Sequence, residues 1–418
     1  MPRHNTRFAR LAAFADQMAA SLGHADRRTP CIDYLHGLLL PGDRKSMEPI
    51  AARIDDRRTV AKHQSLQHFI TDSPWDEHRL LDAAREYALP AMTQGGGVSA
   101  WVIDDTGIPK KGTCSVGVAR QYCGILGKQD NCQAAVSISL ANERMGLPVS
   151  WRLYLPEVWA TDTERRKKAK IPVEITFKTK LEIALDEVDR LIAAGVPSAP
   201  VLADAGYGKA TEFREGLSLR GRIYAVGILA EQGVVTVPQP GSRRASRRGS
   251  CLDIARSIPD ADWKTVTWRQ GSDGPQRSRF AAIRVRATHK VNGSEPLRPA
   301  EWLLIEWPKG EAKPTKYILS TLLESTPLTE LVRIAKLRWR IERDYEELKG
   351  ELGLDHFEGR SWAGFHHHGA MCMAAFAFIA AERARGFPPS RVAFLPSRPR
   401  SAGYRPRGSP TQLHRARS

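Results

Sequence analysis

Three carboxylates set far apart in the chain are the residues best suited to do chemistry. Asp105 and Asp204 each close a short apolar run (VSAWVIDD and VLAD), and Glu342 lies in the charged amphipathic stretch WRIERDYEELK. Asp and Glu oxygens are hard ligands suited to divalent cations, and a pair of such cations is what in-line displacement at a phosphodiester requires. On a helix, at about 100° per residue, Arg338 and Glu342 are separated by a rotation of about 40° and Glu342 and Lys349 by about 20°. The three share one stripe, a metal-binding glutamate between two cations able to grip phosphate, in a chemistry where positioning and charge neutralisation supply most of the rate. Glu346, one turn on, is the alternative ligand.

The elements around these residues follow a readable order. Residues 1–93 carry apolar side chains at three- and four-residue spacing, as in Tyr34, Leu35, Leu38 and Leu39, broken at Leu40-Pro41-Gly42-Asp43 and Asp72-Ser73-Pro74-Trp75. This predicts a helical N-terminal domain, expected to bind DNA, ended by Gln94-Gly95-Gly96-Gly97. From 98 to 228 the pattern predicts three strands (VSAWVIDD, QAAVSISLAN, GLPVSWRLYLP), a helix over about 173–194, the strand VLAD, a helix over about 209–219 and the strand RIYAVGI. That is the order of a ribonuclease H-like α/β sheet, in which the first strand is central and the fourth lies beside it, so Asp105 and Asp204 are expected to meet. Residues 229–327 read as an inserted β-rich basic subdomain, 328–385 as the helices that complete the core, and 386–418 as a basic, disordered tail. From Arg383 to Ser418 there are nine arginines and no acid.

Charge narrows the partner. The 418 residues hold 63 Lys+Arg against 46 Asp+Glu, a formal net charge of +17, which favours a polyanion such as nucleic acid. Within 243–298 there are 13 Lys+Arg against five acids, and GSRRASRRGS makes Arg243, Arg244, Arg247 and Arg248 candidates for phosphate contact. No run approaches the ~20 apolar residues of a membrane span, and no signal-peptide core is present, so the expected location is cytoplasmic, with no membrane partner. Six cysteines without a CxxC pair suggest buried reduced thiols rather than zinc or disulfides. His366, His367 and His368 read as a solvent-facing or phosphate-contacting cluster at a helix start. Trp268, Trp302, Trp307 and Tyr317 are core by default, with stacking on a displaced base as the alternative.

The motifs VIDDTG, VLADAGYG and WRIERDYEELK together resemble the DDE transposases of bacterial insertion sequences, in the branch with a Y-R-E-K signature and a β insertion before the catalytic helix. Arg338, Glu342 and Lys349 match R, E and K, while Ala335 stands where the tyrosine belongs. YLHGLLLPGDRKSMEPIA, SLQHFITDSPWD and LGLDHFEGRSWAGFHHH extend the resemblance over most of the chain. Adjacent strand residues face opposite ways, so only one of Asp104 and Asp105 can serve. The resemblance selects Asp105, because a Thr-like residue follows the family's aspartate. It implies Asp105, Asp204 and Glu342 as the catalytic and metal-binding set for two Mg²⁺ ions, with Mn²⁺ substituting. It further implies terminal inverted repeats and target DNA as partners, a homodimer on paired ends, nucleoid association, and end cleavage followed by strand transfer. The alternatives are a catalytically inactive, transposase-derived DNA-binding protein, and a nuclease acting on RNA–DNA hybrids.

Overall fold

A computed structural model describes residues 7–238, 245–271, 274–288 and 298–386. Five helices open the chain: α1 Arg7–Ser21, α2 Arg28–Leu39, α3 Met47–Ile54, α4 Thr59–Thr71 and α5 Glu77–Gln94. The apolar residues that set their spacing form their buried faces, among them Phe14, Met18, Tyr34, Leu35 and Leu38. The glycine run 95–97 ends α5 and leads into β1 (Ala100–Pro109). Gly96 and Gly97 both have positive φ, a conformation that glycine adopts without steric cost.

Next come β2 (Ala119–Cys123), β3 (Lys128–Ala141), β4 (Gly146–Leu153), and the short helices α6 (Glu157–Ala160) and α7 (Thr163–Lys168). Helix α8 (Lys180–Ala193), β5 (Val201–Ala203), α9 (Ala205–Gly208), α10 (Thr211–Leu219) and β6 (Tyr224–Ile228) follow. The strands run β4-β3-β1-β5-β6, with β1 parallel to β5 and β5 parallel to β6, while β3 is antiparallel to β1 and β4. This is the mixed α/β, ribonuclease H-like arrangement, with β1 central. Helix α8 starts seven residues later than its apolar pattern suggests. Thr179 and Glu182 form a reciprocal capping box that fixes the start there.

The insertion contributes β7 (Gly233–Thr236), β8 (Arg248–Ser250), α11 (Cys251–Arg256), β9 (Lys264–Gly271), β10 (Gly274–Ala287), β11 (Glu301–Trp307) and β12 (Lys316–Ser320). These strands extend the core sheet: β12 pairs antiparallel with β6, and a 12-stranded sheet results among the described residues. Its second face holds a small apolar cluster of Val266, Phe280, Trp302, Leu304, Leu331 and Val332. The chain then returns through α12 (Leu328–Lys336), α13 (Trp339–Gly350) and α14 (Trp362–Ala384).

Helix α14 is apolar nearly all round and buried from Trp362 to Glu382 except Ala363, packing on β4 and the N-terminal helices. No helix among the described residues is long and apolar enough to cross a membrane. The histidine cluster does not face solvent. His366, His367 and His368 are all at most 2% exposed. They are polar residues inside a buried helix, and their ring nitrogens are satisfied by Trp362, Ile70, Trp75 and Gly353 carbonyl oxygens, the Leu153 N–H and the Tyr34 hydroxyl. The predicted tail lies outside the described residues after Gly386.

Candidate active site

The alternation of strand β1 decides which side chains meet α13. Asp104 lies opposite Ser137 of β3, and Ser137 shares a 2.7 Å hydrogen bond with the Tyr345 hydroxyl of α13. Asp104 and, two residues on, Thr106 therefore face α13, whereas Asp105 faces α8. Arg338, which caps α13, spans two acids: Nη1 donates to Asp104 Oδ2 at 3.1 Å and Nη2 to Glu342 Oε1 at 2.6 Å. Further along the helix, Lys349 Nζ donates to Thr106 Oγ1 at 2.7 Å and to the Gly107 carbonyl at 3.0 Å. The Arg-Glu-Lys stripe thus lies along β1.

Asp105 has other partners. Lys180 Nζ, at the start of α8, donates to its Oδ2 at 2.6 Å, and the Tyr207 hydroxyl donates to Oδ1 at 3.4 Å. Asp204 ends β5 and caps α9, its Oδ1 accepting from the N–H groups of Gly206 at 2.8 Å and Tyr207 at 3.3 Å. The turn needs its glycines. A Cβ on Gly208 would come 2.1 Å from the Gly227 carbonyl of β6, so only glycine lets the turn sit against the sheet.

Electrostatics single out Asp104. Burial pushes its carboxyl up to about 7, the Asp204 and Asp105 charges add to the rise, and the Arg338 guanidinium opposes it. Its side chain is 17% exposed, against 57% for Glu342. Burial also pulls the Lys349 ammonium down from its ordinary value. Burial, with the nearby Asp104, raises the hydroxyls of Tyr207 and Tyr345, although Asp105 outweighs Asp104 at Tyr207.

No three His, Cys, Asp or Glu side chains among the described residues stand close enough to hold a metal ion as they are arranged here. Arg338 lies between Asp104 and Glu342, where one guanidinium offsets two carboxylates while Asp204 adds a third charge. Burial keeps the Asp104 carboxyl at about 7 despite Arg338, with the Asp204 charge adding to the rise, and carboxylate oxygens of this kind are the hard donors that divalent cations take.

The remaining sequence-derived candidates divide. Arg247 and Arg248 are exposed at the insertion surface, whereas Arg243 and Arg244 lie outside the described residues. Glu346 is exposed and approaches Arg343 at 3.5 Å, a contact on the solvent side of α13. Ala335 packs on the insertion's apolar cluster, so no phenol projects from the signature tyrosine's place. Trp302 and Tyr317 are buried, donating to the carbonyls of Leu323 and Pro314. Trp268 lies edge-on to Phe280 beneath the Lys336 ammonium, and Trp307 donates to the Glu311 carbonyl. All four aromatics are used in packing.

Sequence reading did not single out Lys180 or Tyr207. Tyr207 was visible inside VLADAGYG, but its partnership with Asp105 depends on how the α9 turn folds back.

Comparison with known proteins follows the same lines. A family model described as DDE superfamily endonuclease matches residues 17–275, and one described as transposase DDE domain matches residues 177–378. A probable transposase for insertion sequence element IS701 from Microchaete diplosiphon is 32% identical over 177 residues, a span covering 42% of this chain and 42% of that protein.

Proposed function

From the premise that this chain belongs to the DDE superfamily of endonucleases and transposases, we propose that it is an insertion-sequence transposase that binds the terminal inverted repeats of its element, cleaves its DNA ends and joins them to target DNA. The observation that carries the reading is the pairing of Asp104 and Glu342 through Arg338, with the Asp204 charge felt at Asp104.

Asp104, Asp204 and Glu342 are the residues that would hold Mg²⁺ or Mn²⁺. When bound, such cations polarise the attacking water or hydroxyl and offset charge on the leaving oxygen. We assign to Asp104 the role that the resemblance gave to Asp105, because Asp104 shares Arg338 with Glu342. Asp105 becomes a positioning residue: it ties Lys180 to Tyr207, whose own N–H is capped by Asp204, and so steadies the turn that presents Asp204. Arg338 carries a planar fork that fits phosphate as well as carboxylate, and it holds the acids together until a phosphodiester arrives. Lys349 anchors the end of β1 and keeps a cation beside the site. The protein acts in the cytoplasm, associated with the nucleoid, and pairs two ends as a homodimer.

The test is incubation of the purified protein with duplex DNA bearing the element's ends, with Mg²⁺, Mn²⁺ or a chelator. Strand breaks at the element boundary that require the cation support the proposal. Tight binding of the ends without any break would instead identify a DNA-binding protein descended from a transposase.

A further inference from the structure

Beyond the carboxylates, β1 leads to a second basic feature. At its end, the loop 110–115, the segment 355–360 before α14 and Arg44 between α2 and α3 enclose a cleft of about 510 Å³. Four cations line it, Arg44, Lys110, Lys111 and Arg360, against two acids, Asp355 and Glu358. Two of the cations are committed to holding the walls together: Arg44 pairs with Glu358, and Lys110 Nζ donates to the Phe357 carbonyl at 2.6 Å. The other two, Lys111 and Arg360, are exposed and make no ion pair or side-chain hydrogen bond among the described residues. Three separate segments thus converge to present two unspent positive charges.

Position gives the cleft its meaning. Six residues of extended strand separate Asp104 from Lys110, about 20 Å at about 3.3 Å each. Along duplex DNA, at about 3.4 Å per base pair, this is about six base pairs. The side of β1 between the two places is lined by Lys349, which binds Thr106 and Gly107. We propose that this cleft is a sequence-independent clamp for the DNA phosphodiester backbone, holding with Lys111 and Arg360 the same duplex that is cut at Asp104, about six base pairs from the reacting phosphate. The inference rests on the DNA-processing reading above and adds to it a place and two residues that the sequence motifs did not indicate. Cations supplied by two separate segments suit an extended polyanion, and phosphate contacts of this kind fix the position of a duplex without reading its sequence.

Cys114 offers a direct probe. It lines the cleft and is exposed, whereas the other five cysteines are buried. Alkylation of Cys114 by a maleimide should be slowed by a duplex of arbitrary sequence but not by inorganic phosphate at the same phosphate concentration. In parallel, the Lys111→Ala/Arg360→Ala variant should lose about two units from the slope of log K against log salt, roughly 0.9 per phosphate contact. Lys111→Glu/Arg360→Glu should weaken duplex binding further, with a thermal unfolding curve matching that of the unmodified protein. Protection by phosphate alone, or an unchanged salt slope in the alanine variant while the unmodified protein binds DNA, would overturn the clamp and leave the transposase reading intact. Failure of the unmodified protein to bind any duplex would overturn both.

Discussion

Acidification tests the packing of the histidine cluster, and the structure sets the size of the effect. Burial holds His366 and His368 down at about 4, far below the ordinary imidazole value, and each ring is used as one donor and one acceptor. The second nitrogen of His366 faces the Leu153 N–H, so a second proton there would meet a donor. A group whose folded pKa is depressed stabilises the fold fully above its unfolded value and loses that contribution as pH falls toward the folded value. With an unfolded value of about 6.5, each of the two histidines costs on the order of 2–3 kcal/mol at about pH 4.5, and the pair about 5 kcal/mol. That is a large share of the 5–15 kcal/mol by which domains are ordinarily stable. His367 sits between two carbonyl oxygens that favour its charged form, near Glu77, so it adds less. The assay is urea unfolding at about pH 7.5 and about pH 4.5 for the unmodified chain and for His368→Gln, which should recover about half of the loss. Because His367 and His368 hold Ile70, Trp75 and Tyr34, the N-terminal helices should loosen first, seen as hydrogen exchange in α2 and α4. An equal pH dependence in both proteins, or imidazole resonances of His366 and His368 titrating near their ordinary value, would refute the reasoning.

Two further outcomes concern α13 and α14. Asp344 faces away from Glu342 with its Oδ2 unpaired, and burial pushes it up to about 7, so its ionised form is disfavoured and stability falls as pH rises through that value. Asp344→Asn should gain up to about 4 kcal/mol at about pH 8 and little at about pH 4 by urea unfolding; a loss at the higher pH would contradict the assignment. Gly369 lets α14 approach β4, since a Cβ there would lie 2.2 Å from Trp151 Nε1, so Gly369→Ala should cost about 1–3 kcal/mol in unfolding free energy, and an unchanged melting curve would show that the contact is not tight.

The order of the core elements was legible because each strand is a short apolar run and each helix a three- and four-residue pattern, and the predicted partnership of the first and fourth strands is the one that β1 and β5 make. Local chemistry set what was missed. The start of α8 lay in the Thr179–Glu182 cap rather than in the apolar pattern, and the histidines looked polar because a sequence does not display carbonyl acceptors brought in from Ile70 and Gly353. The two adjacent aspartates could not be separated by residue type, since their orientation depends on which face of the sheet receives α13. The insertion looked like a separate unit because the strand pairing that joins its sheet to the core, β6 with β12, is made between strands almost 90 residues apart, which a sequence does not display.

The identity of the aspartate that works with Asp204 and Glu342 is the most direct test of the whole account. Metal-dependent cleavage of end-bearing DNA should be measured for Asp104→Asn and Asp105→Asn side by side, with Asp204→Asn and Glu342→Gln as references and end binding as the control for folding. The account predicts that Asp104→Asn joins the references with a loss of roughly a hundredfold or more, while Asp105→Asn keeps measurable cleavage and requires more Mg²⁺ to reach it. Cleavage at the unmodified rate by Asp104→Asn, with Asp105→Asn inactive, would contradict it.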